Sequence, residues 1–80
     1  MSEHILDARN LMCPMPVIRC QNRIKTLADG DTLKVICTDP GALHDIPAWC
    51  RVHGHTVLGT ESQDREIIIT IQVGAGGKAG

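Results

Sequence analysis

The chain has 80 residues, 42% of them apolar, a single aromatic residue and a formal net charge of −1. This length suits one domain rather than two, the near-neutral charge disfavours a nucleic-acid-binding surface, and the apolar runs are too short to cross a membrane. The N-terminus lacks the basic and apolar regions of a signal peptide. We therefore expect a cytoplasmic protein whose four cysteines stay reduced, with no membrane and no direct nucleic-acid partner.

The first half of the chain predicts a strand, a helix and a second strand. Residues 4–8 favour a short strand, and the connector 9–12 leads to the segment 13–16, Cys-Pro-Met-Pro, which opens a helix running to about Ala28. Proline is tolerated in a first helical turn because its missing N–H would have no partner there. Residues 32–38 are β-branched and mostly apolar, which is typical of an interior strand. The buried face of the helix is indicated by apolar residues at helical spacing: Val17, Cys20, Ile24 and Leu27.

The second half predicts one helix and two strands. Asp39 and Pro40 suit an N-cap and a first helical position, so we expect a helix from there to Gly54. Pro47 should kink this helix or shift its first turn. Two more strands follow, at residues 55–60 and 66–73, joined by a Ser-Gln-Asp turn.

The element order is β-α-β-α-β-β, which predicts an α/β (α+β) two-layer sandwich. A four-stranded mixed sheet with two helices on one face is the simplest way to bury the apolar stripes. We expect residues 1–73 to form a single domain and the Gly-rich residues 74–80 to form a flexible tail.

Cys13 is the candidate reactive residue. It lies at the helix N-cap or just before it, where backbone N–H groups and the helix dipole stabilise an anion. Pro14 and Pro16 stiffen the backbone and leave Met15 and Val17 as the nearby N–H donors. We therefore expect the pKa of the Cys13 thiol to be lowered.

The alternative is that Cys13 merely caps the helix, but Ser, Asp or Asn would serve better there. Among its sequence neighbours, Arg9 should assist the lowering of the Cys13 pKa, and Asp7 should oppose it if its carboxylate faces the sulfur.

The remaining cysteines fit a structural role better than a chemical one. No Cys-x-x-Cys pair is present, so we interpret Cys20, Cys37 and Cys50 as small buried hydrophobic residues. Cys50, His53 and His55 have a spacing that could bind zinc, but one such cluster without a second cysteine pair is a weak signal. We predict no metal and no cofactor.

The segments Leu6-Asp7-Ala8 and Cys13-Pro14-Met15-Pro16, at this separation, resemble the TusA-type (SirA-like) sulfur-carrier family. The segments 38–40 and 45–50 are also similar to that family, so the resemblance covers about residues 5–73. One residue departs from the family pattern: Asn10 stands where the family usually has glycine. Because Asn is among the non-glycine residues best able to adopt positive φ, we expect the connector to keep its shape.

The resemblance implies a persulfide relay. In that family the cysteine of Cys-Pro-x-Pro accepts sulfane sulfur from a cysteine desulfurase or a rhodanese and passes it to another sulfur-carrier protein, toward tRNA thiolation, molybdenum-cofactor synthesis or sulfur oxidation. Carried over, Cys13 holds the persulfide, and Pro14 and Pro16 frame it. Such a chain is a sulfurtransferase-type carrier rather than an independent enzyme. Arg19 and Arg23 are candidate partner contacts, although an ordinary solvated face explains them equally well.

Two other functions stay open. A carrier with a C-terminal thiocarboxylate would need Gly76-Gly77 at its end, but three residues follow that pair unless the tail is trimmed. A redox-sensing or regulatory interaction module could also use an activated Cys13. Its nearest candidate partner, Cys20, lies two helical turns away, roughly 10 Å of rise, which is too far for a disulfide without unwinding.

Overall fold

The computed structural model describes residues 2–74 and has the predicted element order. A four-stranded mixed sheet carries two helices on one face, which confirms the predicted two-layer α+β sandwich. The six elements, numbered in chain order, are β1 (Glu3–Ala8), α1 (Met15–Ile24), β2 (Thr32–Cys37), α2 (Ala42–His53), β3 (Thr56–Gln63) and β4 (Glu66–Gln72).

The strand order across the sheet is β1-β2-β4-β3. β1 and β2 are parallel neighbours joined through α1, and β4 lies antiparallel between β2 and β3. The connection through α2 therefore skips one strand position, which the final hairpin fills. Because β1 and β2 run in the same direction, the connectors that leave their C-terminal ends emerge at one edge of the sheet.

The core lies between the sheet and the helices. β2 and β4 alternate strictly, so every second side chain faces the helices and is buried. Each large aliphatic side chain buried in this way contributes about 1.5–3 kcal/mol. The opposite face of the sheet is open, and Ile5 in β1 is 61% exposed there. The fully buried side chains of the core include Leu33, Val35, Ile46, Ile69 and Ile71.

Both helices are shorter than predicted. α1 ends at Ile24 instead of near Ala28, because Thr26 and Leu27 bond to carbonyls three residues back and form a tighter turn. α2 begins at Ala42 rather than Pro40.

The delayed start of α2 has a local cause. The N–H groups of Ala42 and Leu43 bond to the carbonyls of Asp39 and Pro40, three residues back, so a tighter turn precedes the helix. The N-cap residue is therefore Gly41 rather than the predicted Asp39, whose carboxylate accepts the N–H groups of Gly41 and Cys13. The helix runs through Pro47 to His53, and Gly54 caps its C-terminus in a left-handed conformation with φ of 82°.

The hairpin between β3 and β4 turns later than predicted. Its turn is Asp64-Arg65, with φ of 52° and 73°, so β3 extends to Gln63. Positive φ at both turn residues is the signature of the type I′ turn, whose twist matches that of the flanking strands.

The predicted tail, residues 74–80, lies outside the described residues apart from Gly74. Within residues 2–74, neither helix reaches the length and hydropathy that a bilayer crossing requires.

Candidate functional site

Two connectors meet at the sheet edge where β1 and β2 end. Residues 9–14 follow β1 and residues 38–41 follow β2. The backbone N–H of Asn10 donates to Oγ1 of Thr38 at 2.8 Å and ties the connectors together. Asn10 has φ of 63°, which confirms that asparagine accepts the conformation expected at the position of the family glycine.

Cys13 is the residue that this junction presents to solvent. It is exposed and immediately precedes Pro14, the N-cap of α1. Its backbone N–H donates to Oδ2 of Asp39 at 2.9 Å. Its thiol donates to Oδ2 of Asp45, in the first turn of α2, with an Sγ–Oδ2 distance of 2.7 Å. The main chain and the side chain of Cys13 are thus each held by a carboxylate.

These carboxylates raise the pKa of the Cys13 thiol, so the predicted lowering is wrong. The largest cause is the hydrogen bond to Asp45, followed by partial desolvation and the negative charges of Asp45 and Asp39. The helix start gives little compensation. Pro14 has no N–H to donate, and the Met15 N–H is engaged by the carbonyl of Met12 at 2.8 Å.

Arg9 and Asp7 act on each other rather than on Cys13. The Arg9 guanidinium bonds to Asp7 at 2.9 Å and to Glu66 at 3.3 Å. The bonds from Arg9 lower the pKa of the Asp7 carboxyl to about 2. Contrary to the prediction, Arg9 therefore does not lower the pKa of Cys13. The carboxylates that raise this pKa are those of Asp39 and Asp45 rather than that of Asp7.

The candidate partner contacts occupy the outer side of α1. Arg19 is exposed and lines an open cleft of about 460 Å³ together with Arg9 and Asn10. Arg23 is half-buried in the last turn of α1, one turn further from Cys13. Pro16 is buried under the first turn, whereas Pro14 is exposed beside the sulfur. The structure thus brings Arg19 and the Asn10 connector to one cleft.

The other cysteines lie in the core, as their sequence context predicted. Cys20, Cys37 and Cys50 are each 0% exposed. Burial raises the pKa of Cys20 to about 12 and the pKa of both Cys37 and Cys50 to about 11. These thiols are neutral packing groups at neutral pH.

The spacing that suggested zinc belongs to an aromatic stack. The rings of His53 and His55 pack against Trp49 with centroids 4.7 and 5.3 Å apart. Nδ1 of His55 accepts the N–H of Gly74 at 2.9 Å, while Cys50 faces the core. Within residues 2–74 the structure gathers no group of three or more His, Cys, Asp or Glu side chains suited to a metal.

The model of the family described as Sulfurtransferase TusA matches residues 4–73. The chain belongs to the TusA sulfurtransferase family. The SirA-like protein of Desulfitobacterium hafniense has the same fold, with a TM-score of 0.79 over 90% of this chain and 99% of that one at 23% identity.

Curated relatives cover the described domain. YrkI of Bacillus subtilis, a candidate sulfur carrier protein, is 37% identical over 91% of this chain and 97% of its own length. The candidate sulfur carrier NMA0882 of Neisseria meningitidis is 36% identical over 90% of this chain and 97% of its own. YrkF of Bacillus subtilis, another candidate sulfur carrier, is 42% identical over 74% of this chain. The matched region covers only 32% of the length of YrkF.

Sequence analysis missed the contacts of Asp39 and Asp45 with Cys13. The sequence predicted Asp39 as a helix cap, and both residues lie in segments that resemble the family. Their contacts with Cys13 span 26 and 32 positions of the chain. Residues so far apart in the sequence leave no periodic pattern that would reveal their contact. The parallel pairing of β1 and β2, had it been predicted, would have indicated that the two connectors meet.

Proposed function

We propose that this protein is a sulfur carrier in which Cys13 holds sulfane sulfur as a persulfide. The donor in this proposal is a cysteine desulfurase or a rhodanese, and the acceptor is another sulfur-carrier protein serving tRNA thiolation, molybdenum-cofactor synthesis or sulfur oxidation. The observation that carries the proposal is that, of the four cysteines, Cys13 alone is exposed, in a chain of the TusA family.

The proposed chemistry is a sulfur exchange without net oxidation. The Cys13 sulfur attacks the outer sulfur of the donor's persulfide and forms a new S–S bond. The donor's own S–S bond breaks, and its electron pair stays on the donor cysteine. Transfer to the acceptor repeats the exchange, with Cys13 as the leaving group. Cys13 therefore needs access to two different proteins, which an exposed connector provides.

The surface around Cys13 supports protein partners. Met12 is 76% exposed, Met15 is 38% exposed and Ile18 is 40% exposed, so apolar side chains are open to solvent on the connector and the start of α1. Methionine adapts its shape to different partners, which suits a relay protein. Pro14 and Pro16 limit the backbone freedom beside the sulfur, and Arg19 and Arg23 add positive charge along α1.

The same geometry gives less support to a redox-sensing module. The three remaining cysteines are buried, so none is presented to Cys13 at the surface as a resolving thiol. All four cysteines are unpaired, which suits the reducing cytoplasm that the proposal assumes.

The test is sulfur loading followed by intact mass. The protein is mixed with a cysteine desulfurase and cysteine, or with a rhodanese and thiosulfate, and then re-isolated. We expect the mass of one sulfur atom to be added to the natural sequence and to the Cys50→Ala variant, and nothing to be added to Cys13→Ser. Loading of Cys13→Ser to the same extent would refute the proposal.

A further inference from the structure

The carboxylate of Asp45 forms a hydrogen bond with the sulfur of Cys13. The two residues come from different parts of the fold, since Cys13 ends the connector after β1 and Asp45 lies in the first turn of α2. The Sγ–Oδ2 distance is 2.7 Å. The carboxylate of Asp39 accepts the backbone N–H of Cys13 at 2.9 Å and anchors this part of the connector beside α2. The contact thus joins residues 32 positions apart that only the fold brings together.

The charges around Cys13 are negative and uncompensated. The ion pairs formed within residues 2–74 use the carboxylates of Glu3, Asp7, Asp31 and Glu66, and they leave Asp45 out. Of the arginines nearest in sequence to Cys13, Arg9 binds Asp7 and Glu66, and Arg19 lines the neighbouring cleft. A thiolate at Cys13 would therefore lie beside the Asp45 carboxylate, which has no ion-pair partner among residues 2–74.

We propose that Asp45 is a positioning residue that keeps Cys13 as a neutral thiol until this carboxylate is neutralised or displaced. The proposal rests on the proposed function, whose reacting group it regulates. In the resting protein, the proton stays on Sγ and is shared with Oδ2 of Asp45. The thiol is then a poor nucleophile, because the thiolate is the attacking species.

The sulfur exchange accounts for this proton. The S–H bond of Cys13 breaks, an S–S bond to the sulfane sulfur forms, and the S–S bond of the donor breaks. The donor cysteine leaves with the electron pair and takes up one proton. One thiol and one persulfide are consumed and one of each is produced, so no oxidant or reductant is needed.

The decisive change is Asp45→Asn, because an amide retains an oxygen acceptor for the thiol but carries no charge. We expect the pH–rate profile for iodoacetamide alkylation of Cys13 to move down by about one pH unit. Alkylation at pH 7 should then be roughly tenfold faster. At a fixed pH well below the pKa, the thiolate fraction rises tenfold for each unit by which the pKa is lowered. The Asp45→Glu variant should restore a profile close to that of the natural sequence.

Glu61→Gln is the matched control, since Glu61 is exposed on the edge strand β3 and loses the same charge. Its profile should overlay that of the natural sequence. A second measurement needs no substitution at all. The alkylation midpoint of the natural protein should lie above that of free cysteine, because the Asp45 carboxylate retains the thiol proton.

A profile of Asp45→Asn that overlays the natural one, or moves up, overturns the proposal. If Asp45→Asn does not fold, a midpoint of the natural protein at or below that of free cysteine overturns it instead. Sulfur loading separates this failure from failure of the proposed function. Loading of Cys13 with an unmoved profile removes only the role of Asp45, whereas a shifted profile without loading removes the carrier function.

Discussion

Cys13 and the three core cysteines carry the same side chain in opposite settings. Cys13 projects from a connector at the sheet edge, whereas Cys20, Cys37 and Cys50 are each 0% exposed beneath the helices. All four thiols have a raised pKa. The main cause is loss of water for the core thiols and a hydrogen bond to Asp45 for Cys13.

The difference in cause decides what each thiol can do. A core thiol regains contact with water only when the structure opens, so its proton is retained for as long as the protein is folded. The proton of Cys13 is retained by one carboxylate at the surface, where solvent, salt or a docked protein can alter the interaction. The reactivity of Cys13 is therefore adjustable in the folded state, and that of the core thiols is not.

The largest expected contrast is in the rate of modification by a thiol reagent. In the folded protein, the core thiols should react at least about a thousand-fold more slowly than Cys13. Exposing them requires unfolding, which costs about 5 kcal/mol or more. The measurement is intact mass against time in buffer and in denaturant. All four thiols should react at similar rates once the chain is unfolded. Rapid modification of all four in buffer would break the comparison.

The core thiols should also make stability depend on alkaline pH. Their folded pKa values of about 11 to about 12 exceed the ordinary value of 9.0. Between these values the folded state binds more protons, so the free energy of unfolding should fall as pH rises above 9, by up to about 1.4 kcal/mol per pH unit for Cys20. Urea denaturation at pH 8, 9 and 10, on the natural sequence and on Cys20→Ala, measures this as a decline that is shallower in the variant. Parallel declines in the two proteins would show that Cys20 does not titrate on unfolding.

A smaller contrast is expected between two serine variants. Cys50→Ser places a hydroxyl in the core and should lower the free energy of unfolding by about 1–3 kcal/mol. Cys13→Ser keeps a surface group that can still bond to Asp45 and should change it by less than about 0.5 kcal/mol. Urea denaturation midpoints, compared at equal slope, give both values. Equal losses in the two variants would mean that exposure does not separate the two kinds of cysteine.

The fold was predictable because its signals are local. In β4, the buried residues Ile67, Ile69 and Ile71 alternate with more exposed ones. Pro14 marks the start of α1 and Gly54 the end of α2. The boundaries were less predictable because backbone bonding decides them. α1 ends at Ile24 and α2 begins at Ala42 because the adjoining residues bond to carbonyls three residues back rather than four.

For the site, the position of the candidate cysteine was predictable from the sequence, but the direction of its pKa shift was not. Cys13 and its prolines form a contiguous motif, so sequence alone identified the family and singled out Cys13, the exposed cysteine, as the candidate. The direction of the pKa shift was not predictable, because it depends on Asp45, which lies 32 positions away. Helix-start reasoning gave the wrong sign because it counted the dipole and omitted carboxylates brought in by the parallel strand pair.

The most direct test of the central claim, that Cys13 alone receives the sulfur, is to map the loaded protein by peptide mass. After loading from a cysteine desulfurase, persulfides are trapped with iodoacetamide and the chain is cut with trypsin after arginine and lysine. The cuts at Arg9 and Arg19 place Cys13 in residues 10–19 and Cys20 in residues 20–23, while Cys37 and Cys50 share residues 35–51. We predict the added sulfur in residues 10–19 and nowhere else. Added sulfur in residues 20–23 or 35–51, or none in residues 10–19, would contradict the account.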